Sequence, residues 1–457
     1  MKRLPYMGMG RKKDREKQQG LWVAASEIAT TPGHVFYERL NVVLNAEKFD
    51  QRVEALCRKY YKSSSGRPSM TPGTYFRMML LGYFEGIDSE RGIAWRAADS
   101  LSFRRFLGFD LSEQTPDHTT VSRTRRLYSM ETHSAVMQWV LKLLRKQGLA
   151  EGQSVCIDAT TLQANAAMKS LVRRDTGLSY DDYLRQLAQA EGIESPTKEQ
   201  LVRLDRKRKK KTSNDDWTNP NDPSARVTKM KDGRTKLAYK AEHAVDLASG
   251  AVLAVTMQPA DRGDTASYIE TLEAAQCEAN KSHPLGIEEV VMDKGYHSGA
   301  VMVELAARKI RSYIPEPERG KRRWAGKAEQ QQCVYANRQR VRADRSKRLQ
   351  KLRGELCERS FAHCYETGGI RRLYLRGTDN VLKRVLVHVA AFNIGLLMRT
   401  LSGWGKPRQP QNRLHTLLFA VFAVFAPRRT VYGRFGPFSP QLLSEIGLTP
   451  SCRVALQ

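Results

Sequence analysis

Hydrophobic positions recur at helical spacing through most of residues 31–150. Thr71-Pro72 is a start signal, a hydroxyl to cap exposed amides followed by proline at the first helical position. After it, Tyr75, Met78, Met79 and Tyr83 keep the helical period. Residues 89–98 predict a second helix, 103–107 a short third and 136–146 a last one. Before that last helix runs Thr115-Pro116-Asp117-His118-Thr119-Thr120-Val121-Ser122-Arg123-Thr124-Arg125-Arg126. Small hydroxyl residues in front and three arginines behind suit a helix lying in a DNA groove, with Arg123, Arg125 and Arg126 as candidate contacts. The same pattern is also that of a polar surface helix.

From residue 151 the period shortens. Ser154-Val155-Cys156-Ile157-Asp158 reads as a short strand ending on its acid. Residues 237–246 and 251–257 read as a hairpin through Ala248-Ser249-Gly250. A helix over 265–279 precedes the buried strand Val290-Val291-Met292, closed by Asp293. Residues 300–307 predict a helix, 311–314 a strand, 349–365 a helix and 381–400 a strongly apolar helix. Strand, insert, hairpin, helix, strand, helix, strand, helix is the order of an RNase H-like α/β domain. The expected fold class is therefore α/β, a mixed-sheet catalytic domain with an insert after its first strand. An all-α, helix-turn-helix-like domain precedes it.

Charge changes the picture next. The 457 residues carry 76 Lys+Arg against 48 Asp+Glu, a formal +28. Residues 1–20 hold seven basic and two acidic groups, 203–236 twelve and five, 319–353 thirteen and two, and 401–457 seven and one. The other 311 residues come to −1, so the excess sits on two termini and two internal stretches. A polyanionic partner follows, nucleic acid or an anionic membrane. The membrane reading is weak. The basic start lacks a signal peptide's apolar core, and the most apolar run, 414–426, is shorter than the roughly 20 residues a span needs. Seven scattered cysteines make no disulfide framework and point to a reducing, cytoplasmic setting. The expected layout is a basic arm (1–30), a helical DNA-binding domain (31–150), a catalytic domain (151–400, with basic stretches 166–236 and 319–353) and a basic tail (401–457).

Breaking a phosphodiester calls for two divalent ions roughly 4 Å apart, one activating the attacking oxygen and one stabilising the leaving oxygen. Mg²⁺ prefers carboxylate oxygens, so a few acids converging from separate elements suffice. Asp158 and Asp293 end strands that this fold makes neighbours, and Glu358 lies on the later helix. Three acids among 48 carry little alone, and a strand-end aspartate is more often a turn residue. The surroundings add weight: Lys294 and His297 suit phosphate contacts, and Gly295 allows close backbone approach. Glu355, one turn before Glu358, and Glu366 are rivals for the third acid.

The strings CIDATTLQANAAM from residue 156, VMDKGYHS from 291 and GELCERSFAHCYETGGIRRLYLRGTDNVLKR from 354 resemble the DDE transposases of bacterial insertion sequences. GRPSMTPGTYFRMMLLGYFEGIDSERGIAWRAADSLSFRRFLG from 66 and TPDHTTVSRTRR from 115 resemble the same group's helical domain, so the match spans roughly 20–405. The resemblance implies binding to double-stranded DNA at terminal inverted repeats, metal-dependent hydrolysis at the ends, and joining of the 3′-hydroxyl to target DNA. It implies Asp158, Asp293 and Glu358 as catalytic and metal-binding acids, with two Mg²⁺ ions or Mn²⁺ in their place. It favours Glu358 over Glu355, because the family's acid directly precedes Arg-Ser-Phe-Ala-His. Related enzymes carry lysine seven residues after the glutamate, where this chain has Tyr365. Arg359, Arg371 and Arg372 are the candidate substitutes. A homodimer is expected, since two ends must meet, acting at the nucleoid without ATP or membrane. The rival readings are a nuclease that cuts without rejoining and an inactive, DNA-binding repressor.

Other constellations are weaker. Cys333, Cys357, His363 and Cys364 lack the paired spacing of a zinc site. Trp217 and Trp324, in basic regions, could stack on an unpaired base or simply pack locally. No Gly-rich phosphate loop of the Lys-Ser/Thr type occurs.

Overall fold

Threonine 71 caps the third helix through its hydroxyl, which accepts the Thr74 amide at 3.3 Å, and Pro72 follows at the first helical position. The structure, a computed structural model, describes residues 34–61, 69–208, 213–230, 232–318, 320 and 322–407. The arm, the apolar run 414–426 and nearly all of the tail lie outside the described residues.

Seven helices come first: α1 (Val35–Ala46), α2 (Phe49–Cys57), α3 (Pro72–Glu85), α4 (Glu90–Asp99), α5 (Leu101–Leu107), α6 (His118–Leu127) and α7 (Met130–Lys146). Almost every side chain of α3 is buried, which makes it the axis of this region. Asp117 caps α6, and the Thr120 amide it accepts at 2.7 Å helps hold its carboxyl down to about 2.

The remaining elements are β1 (Ser154–Gln163), β2 (Val172–Arg173), α8 (Tyr180–Ala190), α9 (Lys198–Lys207), β3 (Trp217–Thr218), β4 (Arg226–Lys229), β5 (Thr235–Asp246), β6 (Val252–Pro259) and α10 (Asp264–Ala279). Then come β7 (Glu289–Val291), α11 (Gly299–Ala307), β8 (Arg311–Tyr313), α12 (Ala328–Arg342), α13 (Asp344–Phe361) and α14 (Thr378–Ser402). The sheet runs β6-β5-β1-β7-β8, with β6, β5 and β1 antiparallel and β1, β7 and β8 parallel. This is the RNase H-like arrangement.

Two details differ from the sequence reading. First, β1 does not end at Asp158 but runs on to Gln163, because β5 pairs with it as far as Gln163↔Ala238. Second, β4 pairs with the start of β5, so the end of the 166–236 insert is part of the sheet. The rest of the insert holds the α8–α9 hairpin, with its own small core of Leu184, Ala188, Leu201 and Leu204.

Helix α14 is long and apolar enough to cross a membrane by length and composition. It is instead buried along most of its length, packed on α7, α3 and β6. Its Asn393 side chain exchanges two hydrogen bonds with the Val252 backbone, at 3.0 and 2.8 Å, and so covers the β6 edge. One continuous core joins the helical region to the sheet.

Candidate active site

Strand β1 alternates its side chains between two helical layers. Cys156, Asp158 and Thr160 share the face covered by α13, where the Cys156 and Cys357 sulfurs lie 2.9 Å apart. The parallel register of β1 and β7 pairs Ser154↔Glu289, Val155↔Val290 and Cys156↔Val291. The pairing ends there, and Asp293 follows two residues after Val291 as Asp158 follows two after Cys156, on strands about 4.8 Å apart. Asp293 leaves β7 by capping the turn that follows, its Oδ1 accepting the Gly295 amide at 2.7 Å.

Gly295 has a steric reason to be glycine. A Cβ there would lie 2.7 Å from Asp264 Oδ2 and 3.0 Å from Asp293 Oδ1. Asp264, at the start of α10, is paired with buried Lys240 at 2.5 Å. Beneath the turn, the Tyr296 hydroxyl donates to Glu242 Oε1 at 2.9 Å, and Ser267 and Thr271 also donate to that carboxylate. Burial raises the Glu242 pKa against these bonds. Burial, with the charges of Glu242, Asp264 and Asp158, also pushes the Tyr296 phenol up.

Asp158 is held from α13. Arg353 Nη1 donates to Asp158 Oδ2 at 2.8 Å, and Arg353 Nε donates to Gln350 Oε1 at 3.1 Å. Gln350 in turn donates to the Met292 and Tyr313 carbonyls at 3.2 and 2.8 Å, the ends of β7 and β8. The guanidinium is thus splinted between the first acid and the strand that carries the second. Glu358 lies on the same helix, exposed, one residue past buried Cys357. Glu355 is exposed too and pairs with Arg359. Among the described residues no three His, Cys, Asp or Glu side chains already form a metal-holding cluster. The donor chemistry nevertheless fits a hard divalent ion: three carboxylates, carried on β1, in the turn after β7 and on α13.

The other predicted contacts divide. Arg123, Arg126, Lys294 and Arg372 are exposed. Arg125 is buried, bonded to Glu90 at 2.6 Å and to Asn380. His297 is buried too, its Nδ1 accepting from Arg322 at 3.1 Å. Arg371 reaches Thr160 on the Asp158 face at 2.8 Å and pairs with Glu366 at 2.6 Å. Tyr365 is fully buried, its hydroxyl 2.6 Å from His243 Nε2. His243 is Asp158's partner across β5, and burial holds its pKa down to about 3. Trp217 is buried against Tyr180 and Tyr183 with Arg173 over its ring, which is local packing. Trp324 stands beside Tyr335 and Arg322. Sequence reasoning missed Arg353, Gln350, His243 and Asp264. Only Arg353 left a trace, as one of thirteen basic residues in 319–353.

Comparison with known families gives two matches. A family described as "Transposase domain (DUF772)" matches residues 25–127, and one described as "Transposase DDE domain" matches residues 151–394. No curated protein matches the chain. Among solved structures, the chain is similar to a Mos1 transposase paired-end complex with left transposon end, at 10% identity over 67% of this chain and 82% of that one, TM-score 0.17. It is also similar to a pre-cleavage Mos1 transpososome, at 10% identity over 74% of this chain and 99% of that one, TM-score 0.18.

Proposed function

The chain belongs to the transposase DDE-domain family, whose members are DNA transposases, and we propose that it cuts and rejoins the ends of its own insertion sequence. What supports this reading is the family match over residues 151–394, with Asp158 on β1, Asp293 just past the end of its parallel neighbour β7, and Glu358 on α13, which packs against both strands. These three carboxylates would hold two Mg²⁺ ions, or Mn²⁺ in their place. When bound, such ions supply Lewis acidity at the phosphoryl oxygens and lower the pKa of the attacking water.

The chain's own groups do the rest. Arg353 fixes the Asp158 carboxylate, and Gln350 ties that arginine to the strand leading to Asp293. In the first step water adds to phosphorus and the bond to the 3′ oxygen breaks, leaving a 3′-hydroxyl and a 5′-phosphate. In the second, that 3′-hydroxyl attacks a target phosphodiester and one P–O bond replaces another. Exchange conserves bond energy, so no ATP is required.

The helical domain (31–150) would bind the terminal inverted repeats of double-stranded DNA, with exposed Arg123 and Arg126 on α6 among its contacts. Lys294 and Arg372 would meet phosphates near the acids, and the basic stretches would neutralise flanking backbone. Two ends must be held together, so the working unit is a homodimer, acting at the nucleoid in the cytoplasm. The test offers purified protein a DNA carrying the inverted repeats that flank its coding region, with Mg²⁺ and target DNA. Cleavage with joined products supports transposition. Cleavage without joining points to a nuclease, and binding without cleavage to a repressor.

A further inference from the structure

Arginine 384, on α14, is buried without a counter-charge. Its side chain is 4% exposed, and its Nη1 and Nη2 donate to Met79 Sδ at 3.2 Å and to the Ile87 carbonyl at 2.9 Å. Its Nε has no partner, and no carboxylate among the described residues forms an ion pair with it. The two other buried arginines do have one: Arg77 pairs with Asp50 at 2.7 Å and Arg125 with Glu90 at 2.6 Å. A guanidinium stays charged at neutral pH, and taking it out of water without an anion is costly. Something outside the chain is needed to balance it.

Arg384 lines a cavity of about 220 Å³ between α4, α6 and residues 370–375. That is many times the space one water needs, and water would satisfy the Nε but supply no charge. The cavity lies at the first turns of two helices. Ser89 caps α4, Arg91 stands in its first turn, and His118 is the first residue of α6. The opening amides of a helix lack carbonyl partners within it and carry its positive end, so two such ends meet at one space. The Ser89 and Ser122 hydroxyls accept from Gly92 and from Arg125 and Arg126, which leaves each its own proton to donate. Two acids also line the cavity, but Glu90 is neutralised by Arg125, and exposed Asp88 is matched by exposed Arg91.

We propose that this cavity is a binding site for a small free oxyanion of the phosphate class, held by Arg384, the serine hydroxyls and the first amides of α4 and α6. Arg384 lies too deep for the backbone of a duplex to reach, so the ligand is a small one. Bound there, it would join α4 and α6 to α14 and to residues 370–375, where Arg371 reaches Thr160 on the Asp158 face. The site stands apart from the three carboxylates and does not depend on the reaction proposed for them.

The test titrates full-length protein with inorganic phosphate at pH 7, by calorimetry and thermal unfolding, against sodium chloride of matched ionic strength. Two variants are compared with wild type. Arg384→Met removes the buried charge, and Ser122→Met fills the cavity while leaving every charge in place. Wild type should bind one phosphate per chain saturably, and its melting temperature should rise by about 2 °C at about ten times the dissociation constant. Both variants should bind at least tenfold more weakly; should Arg384→Met fail to fold, Ser122→Met alone decides. Saturating duplex DNA should leave phosphate binding in place. No saturable binding by wild type, or equal binding by Ser122→Met, would overturn the proposal. Loss of phosphate binding in the presence of DNA would overturn it as well, by giving the cavity to a DNA phosphate.

Discussion

Replacing Arg125 by alanine should damage the fold more than the DNA contact. Its side chain is 6% exposed, its Nε is 2.6 Å from Glu90 Oε1, and Glu90 is 12% exposed. A second bond to Asn380 ties α6 to the start of α14. Removing one partner of such a pair leaves a carboxylate largely desolvated and unpaired, which costs about 3–5 kcal/mol. Glu90 also lines a cavity of about 220 Å³ beside Asp88, Ser122 and Arg384. Water there can hydrate the stranded carboxylate, which puts the expected loss near the lower end, about 3 kcal/mol. With a urea slope of about 3 kcal/mol per molar, the denaturation midpoint should fall by about 1 M. Adding Glu90→Gln should recover part of that loss, because the orphaned charge is removed with it. The reasoning fails if Arg125→Ala stays within about 0.5 kcal/mol of wild type while its DNA affinity and salt slope drop. Arg125 would then be spending its charge on phosphate.

Four other outcomes follow from the same contacts. Arg353→Ala should cost only about 1 kcal/mol of stability, since the pair with Asp158 is partly solvated, but should slow cleavage at least tenfold; unchanged cleavage would remove it from the site. Glu358→Gln should abolish cleavage with DNA binding retained, while Glu355→Gln, which only breaks a surface pair with Arg359, should leave the rate within about twofold; the reverse pattern would reassign the third acid. Asp158→Asn should match Glu358→Gln in cleavage and in binding, and a substantial residual rate would contradict the triad. His133 donates from Nδ1 to the Ser129 carbonyl and accepts from Tyr75, and burial holds its pKa down to about 4. Its contribution is therefore complete above pH 6.5 and is lost as pH falls toward 4, at up to about 1.4 kcal/mol per unit. In urea titrations at pH 7 and 5, His133→Gln should lose less stability between the two than wild type; an equal loss would refute the assignment.

The order of strands was readable because each is a short apolar run with an evident break, and Val290-Val291-Met292 before Asp293 is the clearest case. The length of β1 was not. Ala159-Thr160-Thr161 looks like a turn after an acid, and only the pairing with β5 keeps it extended. Charge misled in the opposite direction. Arg125 shares a string with Arg123 and Arg126, and nothing in the spacing shows that one of the three turns inward to a glutamate 35 residues back. His297 reads as a phosphate ligand from its neighbours, yet it is buried and its Nδ1 accepts from Arg322.

The central claim is that Asp158, Asp293 and Glu358 act together on a phosphodiester. It is tested most directly by incubating wild type and Asp293→Asn with labelled inverted-repeat DNA and target DNA, in Mg²⁺ and in EDTA. Wild type in Mg²⁺ should release 3′-hydroxyl ends and join them to target. EDTA should stop both steps, and Asp293→Asn should bind the ends without cutting. Cleavage by Asp293→Asn at the wild-type rate, or undiminished cleavage in EDTA, would contradict it.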